Sequence, residues 1–320
     1  MYHCPKCSQA FVVNAFLVGD AEIARACPHC RAGTAAVGGA TSSASDARRA
    51  KYANSARSMG GTLVIWIGQT DNPGQVRNTQ LVRDSERAGL IVEQGYREAL
   101  SGVCNAIVTE FFRILLTGGS LVPFYQDMLS INDFYRELQA DYIRTMQAYR
   151  LAANLVRKNA LLIQKYTALI DAGGATPRAI REHWEAERER CLKSIDDNAD
   201  KVHRWVKLLY TTPNLVSSGI TDTRIQGNEA LDATIALRAS SSAGCYLFAL
   251  QGRTTGHAVG IHRTRNLFSD DLFLFIDPNT GVFAFRDATA FSAFIQLYWR
   301  TVLASEFTDG TICKYALKKK

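Results

Sequence analysis

Three residues that lie far apart in the sequence could work together as a nucleophile, a base and an orienting carboxylate. Cys104 follows a turn-like Ser-Gly pair and precedes an apolar helical stretch. We therefore expect it at a helix N-terminus, where the partial positive charge favours a thiolate and the free N–H groups can stabilise an oxyanion. His257 lies on a strand-like segment, with its side chain on the core-facing side. Asp277 ends an apolar strand, where a carboxylate is costly unless it is paired.

Acting together, these side chains could perform acyl transfer. His257 would accept the proton of the Cys104 thiol, and Asp277 would hold the imidazole in the required tautomer. A simpler interpretation is that Cys104 is a small buried residue and His257 a hydrogen-bonded core histidine. Both interpretations are open at this point. His262 falls on the opposite strand face from His257, and we expect it in solvent.

The N-terminal segment carries a second kind of chemistry, in two Cys-x-x-Cys pairs that are separated by 19 residues (positions 8 to 26). The four thiolates can surround one Zn²⁺ tetrahedrally. They belong to Cys4, Cys7, Cys27 and Cys30. A closed four-cysteine shell has no open position for water, so the predicted zinc, one per chain, is structural rather than catalytic. The pattern resembles a short bacterial zinc ribbon over residues 1–33, whose core is too small to fold without metal.

Composition places the chain among globular proteins. Of its 320 residues, 47% are hydrophobic and 21% are charged, which excludes wholesale disorder. The net charge of +7 permits an acidic partner. The sequence shows no cluster of basic and aromatic residues that would bind nucleic acid, so we do not expect nucleic-acid binding.

Eight cysteines at this length do not indicate a disulfide scaffold, and we expect the scattered ones (Cys191, Cys245 and Cys313) to be buried.

The sequence has no apolar run of transmembrane length and no secretory signal peptide. We therefore expect synthesis in the cytoplasm and no transmembrane segment. If the protein leaves its cell, we expect a route that needs no cleaved signal peptide.

Helical patterns come first along the chain, and strand patterns follow. Residues 34–61 are rich in Ala, Gly, Ser and Thr and predict a flexible linker. Apolar residues at helical spacing predict a long helical hairpin over about 134–210, with a Gly-Gly turn. Short apolar segments bounded by turn residues predict a sheet over about 244–320. This order predicts an α+β fold with an antiparallel sheet.

The order of the three motifs resembles the YopT/AvrPphB-type effector cysteine proteases, which are papain-like enzymes that bacteria deliver into host cells. The matching positions are Cys104 after Gly-Val, His257 within Gly-His-Ala, and Asp277 at the start of Asp-Pro-Asn. The resemblance covers residues 90–320 and implies a papain-like domain over 62–320, in which the hairpin expands the helical lobe. It also implies a host protein as substrate, self-processing, and a secretion chaperone as a further partner.

One departure from this family concerns the second donor to the oxyanion. The family places a side-chain amide a few residues before the cysteine, whereas Ala99 and Glu98 occupy the positions five and six before Cys104. Gln94 is the nearest upstream amide, one helical turn further back, and is the candidate for this donor. The N-terminal zinc ribbon is also not part of the family pattern.

The sequence therefore predicts a cysteine endopeptidase with a Cys–His–Asp triad, and it leaves two alternatives. A deamidase or transglutaminase on the same scaffold would use the same chemistry until water or an amine resolves the thioester. A non-enzymatic interaction protein would use the zinc ribbon and the helical hairpin as its working parts.

Overall fold

The computed structural model describes residues 2–3, 10–11, 43–72, 75–76, 80, 83, 102–209, 215–217, 224–241, 243–253, 255–264 and 271–317. The helices are α1 (Ser43–Ser58), α2 (Cys104–Thr117), α3 (Leu121–Leu129), α4 (Asp133–Ala172), α5 (Arg178–Leu209), α6 (Asn228–Ser241) and α7 (Ala288–Tyr298), with a π-helical turn at Trp299–Leu303. The strands are β1 (Tyr2–His3), β2 (Ala10–Phe11), β3 (Thr62–Trp66), β4 (Leu215–Ser217), β5 (Arg224–Gln226), β6 (Gly244–Gly252), β7 (Gly256–Arg263), β8 (Phe273–Asp277), β9 (Gly281–Phe285) and β10 (Phe307–Leu317).

The chain divides into two compact units, and the division falls within α4. The first unit comprises Met1–Ala140 with Pro213–Lys320, and the second comprises Asp141–Thr212. The second unit contains most of α4 and α5, which a short Gly-rich connection joins. A hydrogen bond of 2.8 Å from Asn159 to Ser194 links the two helices at similar distances from that connection. They therefore form an antiparallel hairpin in the stretch where the sequence predicts one.

An antiparallel sheet forms the centre of the first unit. Its described strands follow the order β3-β9-β8-β7-β6-β10-β4, and β5 also pairs with β10. Strands β6 to β9 are consecutive neighbours, as in a meander, and every described pairing is antiparallel. After β9 the chain forms α7 and returns as β10 on the other side of β6. This combination of helices and antiparallel sheet confirms the α+β prediction.

One face of the sheet carries a densely aromatic core. Residues directly opposite each other in an antiparallel pair share a face, so Phe248, Val259, Ile261 and Phe275 lie on the same side. They pack in one buried cluster with residues of β9, α7 and the π-helical turn, including Phe283, Phe285, Phe291, Phe294, Tyr298 and Trp299. His257 belongs to this same face of β7, so its strand is held by a close-packed layer.

The opposite face of β7 is where α2 packs. A Cβ atom added to Gly260 would meet Phe112 Cζ at 2.6 Å and Val108 Cγ1 at 2.8 Å. Since contacts this short do not occur, the missing side chain is what lets α2 lie so close to the strand. The close approach fixes the helix that begins at Cys104 against the strand that carries His257.

Helix α1 lies within the stretch 34–61, where the sequence predicts a flexible linker. Alanine, arginine and lysine are strong helix formers, and they dominate this segment in spite of its serines. Ala56 is fully buried and packs in the aromatic cluster, while the Tyr52 ring lies 5.9 Å from that of Tyr298. Ser43–Ser58 is therefore an ordered part of the first unit. The proposed ribbon-linker boundary at residue 33 lies outside the described residues.

Candidate active site

Cys104 is the first residue of α2, as the sequence predicts. The preceding Val103 has non-helical backbone angles and provides no side-chain cap. The side chain of Cys104 is 9% exposed. Because the first N–H groups of a helix have no partner within it, the Cys104 sulfur is attached beside a set of backbone donors and a partial positive charge.

His257 and Asp277 meet on adjacent strands. The last described pair between β7 and β8 is Gly260 opposite Ile276. Asp277 is the next residue of β8, and His257 lies three residues before Gly260 on β7. Both residues therefore lie just beyond the paired region. The His257 Nε2 atom lies 2.9 Å from Asp277 Oδ1. Both side chains are buried, with exposed fractions of 4% and 0%. The register of one strand pair therefore brings the imidazole and the carboxylate together.

Cys104 is the second partner of the His257 ring. It lies near enough to the ring to raise the pKa of His257. Since Asp277 occupies Nε2, the nitrogen left for Cys104 is Nδ1. The Phe307 ring stacks on the imidazole with centroids 5.8 Å apart and fixes its plane. All three residues singled out in the sequence thus converge on one imidazole.

The protonation of His257 is set by competing effects. Burial lowers its pKa, because a charged ring loses its hydration. The charge and hydrogen bond of Asp277, and then the Cys104 side chain, outweigh burial and raise the pKa from 6.5 to about 10. A proton taken from Cys104 would accordingly be held well by this ring at neutral pH.

Asp277 is held by a ring of donors besides His257. Its Oδ1 atom also accepts the backbone N–H of Asn279 at 2.7 Å, and its Oδ2 atom accepts the hydroxyl of Tyr298 at 2.8 Å. Thr280 donates in turn to the Tyr298 oxygen at 2.8 Å. Burial, and then the charge of Asp277, raise the pKa of Tyr298 well above its usual value, so the hydroxyl stays protonated and continues to donate. These bonds compensate the buried carboxylate and fix its orientation.

Sequence reasoning missed Gln69, which ties the nucleophile segment to the carboxylate segment. Its Oε1 atom accepts the N–H of Val103 at 3.0 Å, and its Nε2 atom donates to Asn279 Oδ1 at 2.7 Å. The side chain is only 4% exposed. No local pattern marks this glutamine, because its partners are 34 and 210 residues away in the sequence.

His262 is a correction, because it is buried rather than solvated. It lies directly opposite Cys245 on β6, and the distance from Cys245 Sγ to His262 Nδ1 is 3.1 Å. The face of β7 that bears His262 is covered by α2 rather than by water, which the strand alternation alone could not indicate. Cys245 is fully buried as expected, and burial raises the pKa of its thiol.

The buried His262 should make the protein less stable in acid. Burial lowers its pKa from 6.5 to about 4, and a hydrogen bond to the Gly244 backbone offsets only part of this effect. The unfolded state therefore binds a proton between those two pH values while the folded state does not. The contribution to stability is present above pH 6.5 and lost as the pH falls towards 4, by about 3 kcal/mol at most.

Urea denaturation at a series of pH values measures this effect. His262→Gln should show a shallower loss of unfolding free energy between pH 7 and pH 4 than the unsubstituted chain. The exposed His183 provides the control, and His183→Gln should reproduce the original slope. Equal slopes in all three proteins would contradict the assignment.

Two groups of predicted residues lie outside the described residues: the oxyanion candidate Gln94, and the zinc ligands Cys4, Cys7, Cys27 and Cys30. Strand β1 pairs with β2 so that His3 and Ala10, which flank the first cysteine pair, lie opposite each other. Among the described residues, no cluster of three or more His, Cys, Asp or Glu side chains could hold a metal. No described helix is long and apolar enough to cross a membrane.

Comparison with known proteins gives few matches. No protein-family model matches the chain, and no curated protein matches its sequence significantly. Among solved structures, the Pseudomonas avirulence protein AvrPphB is similar with a TM-score of 0.35 and 14% identity over 68% of this chain and 94% of that chain. PatoxP, a cysteine protease-like domain of the Photorhabdus asymbiotica toxin PaTox, is similar with a TM-score of 0.22 and 10% identity over 76% of this chain and 87% of that chain. Both TM-scores are low, and neither likeness establishes a function for this chain.

Proposed function

We propose that this chain is a cysteine endopeptidase with a papain-like catalytic domain. Cys104 is the nucleophile, His257 is the general base and acid, and Asp277 orients the imidazole. One observation supports this proposal above the others: the ring whose Nε2 atom lies 2.9 Å from a fully buried carboxylate also has the cysteine at the start of α2 as its partner. A core histidine needs a hydrogen-bond partner, but it does not need a cysteine at a helix N-terminus on its other side.

The reaction follows from these positions. The Cys104 sulfur adds to the carbonyl carbon of a peptide bond, while its proton passes to Nδ1 of His257. The carbonyl electrons move to oxygen, and the Cys104 N–H at the start of the helix stabilises that charge. His257 then gives its proton to the leaving amine, and a thioester remains. Water resolves the thioester, with His257 again as the base.

Deamidation and transglutamination use the same first steps and differ only in the group that leaves or resolves the thioester. The described geometry does not favour either over proteolysis. The products of the experiment below therefore decide between them.

The wider role of the protein rests on the sequence resemblance. We propose a host protein as substrate, self-processing, delivery into a host cell without a cleaved signal peptide, and assistance by a secretion chaperone. We also propose that residues 1–33 form a zinc ribbon with Cys4, Cys7, Cys27 and Cys30 as ligands. The cysteine donor set fits one structural Zn²⁺ and has no part in the reaction.

The test compares Cys104→Ala with Cys191→Ala, which removes another buried cysteine from helix α5. The unsubstituted chain and Cys191→Ala should react with a thiol-directed epoxide at one site and should cleave unfolded casein. Cys104→Ala should do neither. Mass spectrometry of the casein identifies the reaction: new peptide termini indicate proteolysis, +1 Da shifts on glutamine indicate deamidation, and amine adducts indicate transglutamination. Epoxide labelling that survives in Cys104→Ala would refute the nucleophile.

A further inference from the structure

The N-terminus of α2 is capped by a side chain from a different helix. The backbone N–H of Ala106, two residues after Cys104, donates to Gln139 Oε1 at 3.1 Å. Gln139 lies on the part of α4 that belongs to the first unit. The first N–H groups of a helix all point out of the same end, within about one turn of each other. A side chain that accepts from Ala106 therefore lies at the end of α2 where Cys104 is attached.

The orientation of the Gln139 amide is fixed by chemistry. A backbone N–H needs an acceptor, so the oxygen faces Ala106 and the NH₂ group lies on the other side of the same planar amide. The side chain is only 6% exposed. Within the described part of the chain, its Nε2 atom donates to no acceptor. This amide is thus buried and oriented, and its NH₂ group is unused among the described residues.

Gln69 provides a comparison, because it is also a buried glutamine that contacts the start of α2. Both ends of its amide are engaged, with Val103 at one and Asn279 at the other. Gln69 therefore positions the segment before Cys104, and one of its two amide N–H groups is held by Asn279. Among the residues that the structure describes, Gln139 uses only its acceptor. Buried polar groups are normally paired in folded proteins, and a free donor beside a nucleophile indicates a site for a ligand oxygen.

We propose that Gln139 is the second donor of the oxyanion hole, an inference that rests on the proposed function. When the Cys104 sulfur forms its bond to the carbonyl carbon, the π electron pair of the C=O bond moves to oxygen. The Cys104 N–H and the Gln139 Nε2–H then donate to that oxygen, which becomes negative only in the transition state and the tetrahedral intermediate. When the C=O bond re-forms, the C–N bond breaks and the amine leaves with the proton from His257.

The substitution Gln139→Glu separates capping from catalysis. A carboxylate still accepts the N–H of Ala106, so the melting temperature should change little, and alkylation of Cys104 by iodoacetamide should slow far less than kcat falls. It has no N–H to donate and places a negative charge beside the oxyanion. We therefore expect kcat for casein cleavage to fall by about 10²- to 10³-fold, with a much smaller change in KM. Gln139→Ala should lose kcat and also lower the melting temperature, because it removes the cap as well.

A Gln139→Glu protein that keeps its kcat would overturn the assignment of the second donor, as would a loss of kcat confined to the parallel variant Gln94→Ala. Equal losses of kcat and of iodoacetamide alkylation would show that Gln139 supports the helix and does not contact the substrate. If the unsubstituted chain cleaves no casein and Cys104 does not react faster than Cys191, the proposed function itself fails, and this inference fails with it.

Discussion

Replacing His257 by alanine should lower kcat/KM for casein cleavage by about 10³- to 10⁴-fold, the largest effect expected of any substitution outside the nucleophile. The variant has no group that can take the proton of Cys104 and return it to the leaving amine. Alanine also leaves the buried Asp277 without one of its donors. His257→Gln, which retains an N–H donor for Asp277 but has no basic nitrogen, should be as inactive and better folded.

The pH dependence of this prediction follows from the raised pKa of His257. The protonated imidazole is the acid that the leaving amine needs, so activity should persist above neutral pH and decline as the pH approaches about 10. The free energy of unfolding should also fall as the pH rises. Because folding raises the pKa of His257 from 6.5, the stabilisation is fully present below pH 6.5 and is lost as the pH rises towards 10. Steady-state kinetics and urea denaturation from pH 6 to 10 measure both effects. The exposed His183 gives the control, and equal activity of His257→Ala and His183→Ala would remove His257 from the mechanism.

Asp277→Ala should lower the free energy of unfolding by about 3 to 5 kcal/mol and should also lower activity, by less than His257→Ala does. Three donors lose their acceptor at once in a fully buried position: the His257 ring, the Asn279 N–H and the Tyr298 hydroxyl. Asp277→Asn retains an acceptor oxygen but removes the charge that raises the pKa of His257. We expect it to be more stable than Asp277→Ala, with its alkaline activity limit moved to lower pH.

Tyr298→Phe is the matched control for the carboxylate. It removes one hydrogen bond to Asp277 and one with Thr280, and it keeps the aromatic ring in the core cluster. The loss of unfolding free energy should be about 1 to 3 kcal/mol, below that of Asp277→Ala. Urea denaturation measures all three variants. A loss in Asp277→Ala no greater than in Tyr298→Phe would mean that the carboxylate is not the centre of this network.

The network around Asp277 explains why an ionised group is tolerated in the aromatic core. The strand that carries it is buried along its whole length, and no water is needed to satisfy the carboxylate because backbone and side-chain donors already do so. A carboxylate held from several directions cannot rotate away from the imidazole. The orientation of His257 is therefore a property of the folded core rather than of a surface loop.

Much of the candidate site could be predicted because its cues are local. A turn before an apolar helical stretch places Cys104 at a helix start, and strand alternation places His257 on the core side. A carboxylate after a run of apolar residues predicts the strand end at Asp277. Each cue depends on residues within a few positions, which is the range over which backbone preference and hydrophobic period act. The two Cys-x-x-Cys pairs predict zinc in the same way, and that prediction concerns residues beyond those described.

Tertiary structure alone decided how these parts are joined. Gln69, Gln139 and Tyr298 reach partners across the fold, and an isolated glutamine or tyrosine has no spacing that marks it in a sequence. Whether His262 faces water or a helix depended on where α2 packs, which strand alternation cannot specify. Short-range sequence patterns predict which residues form the candidate triad. The distances between these residues, their burial and the donors that support them depend on long-range packing. Only the folded chain brings groups together that the sequence keeps more than a hundred residues apart.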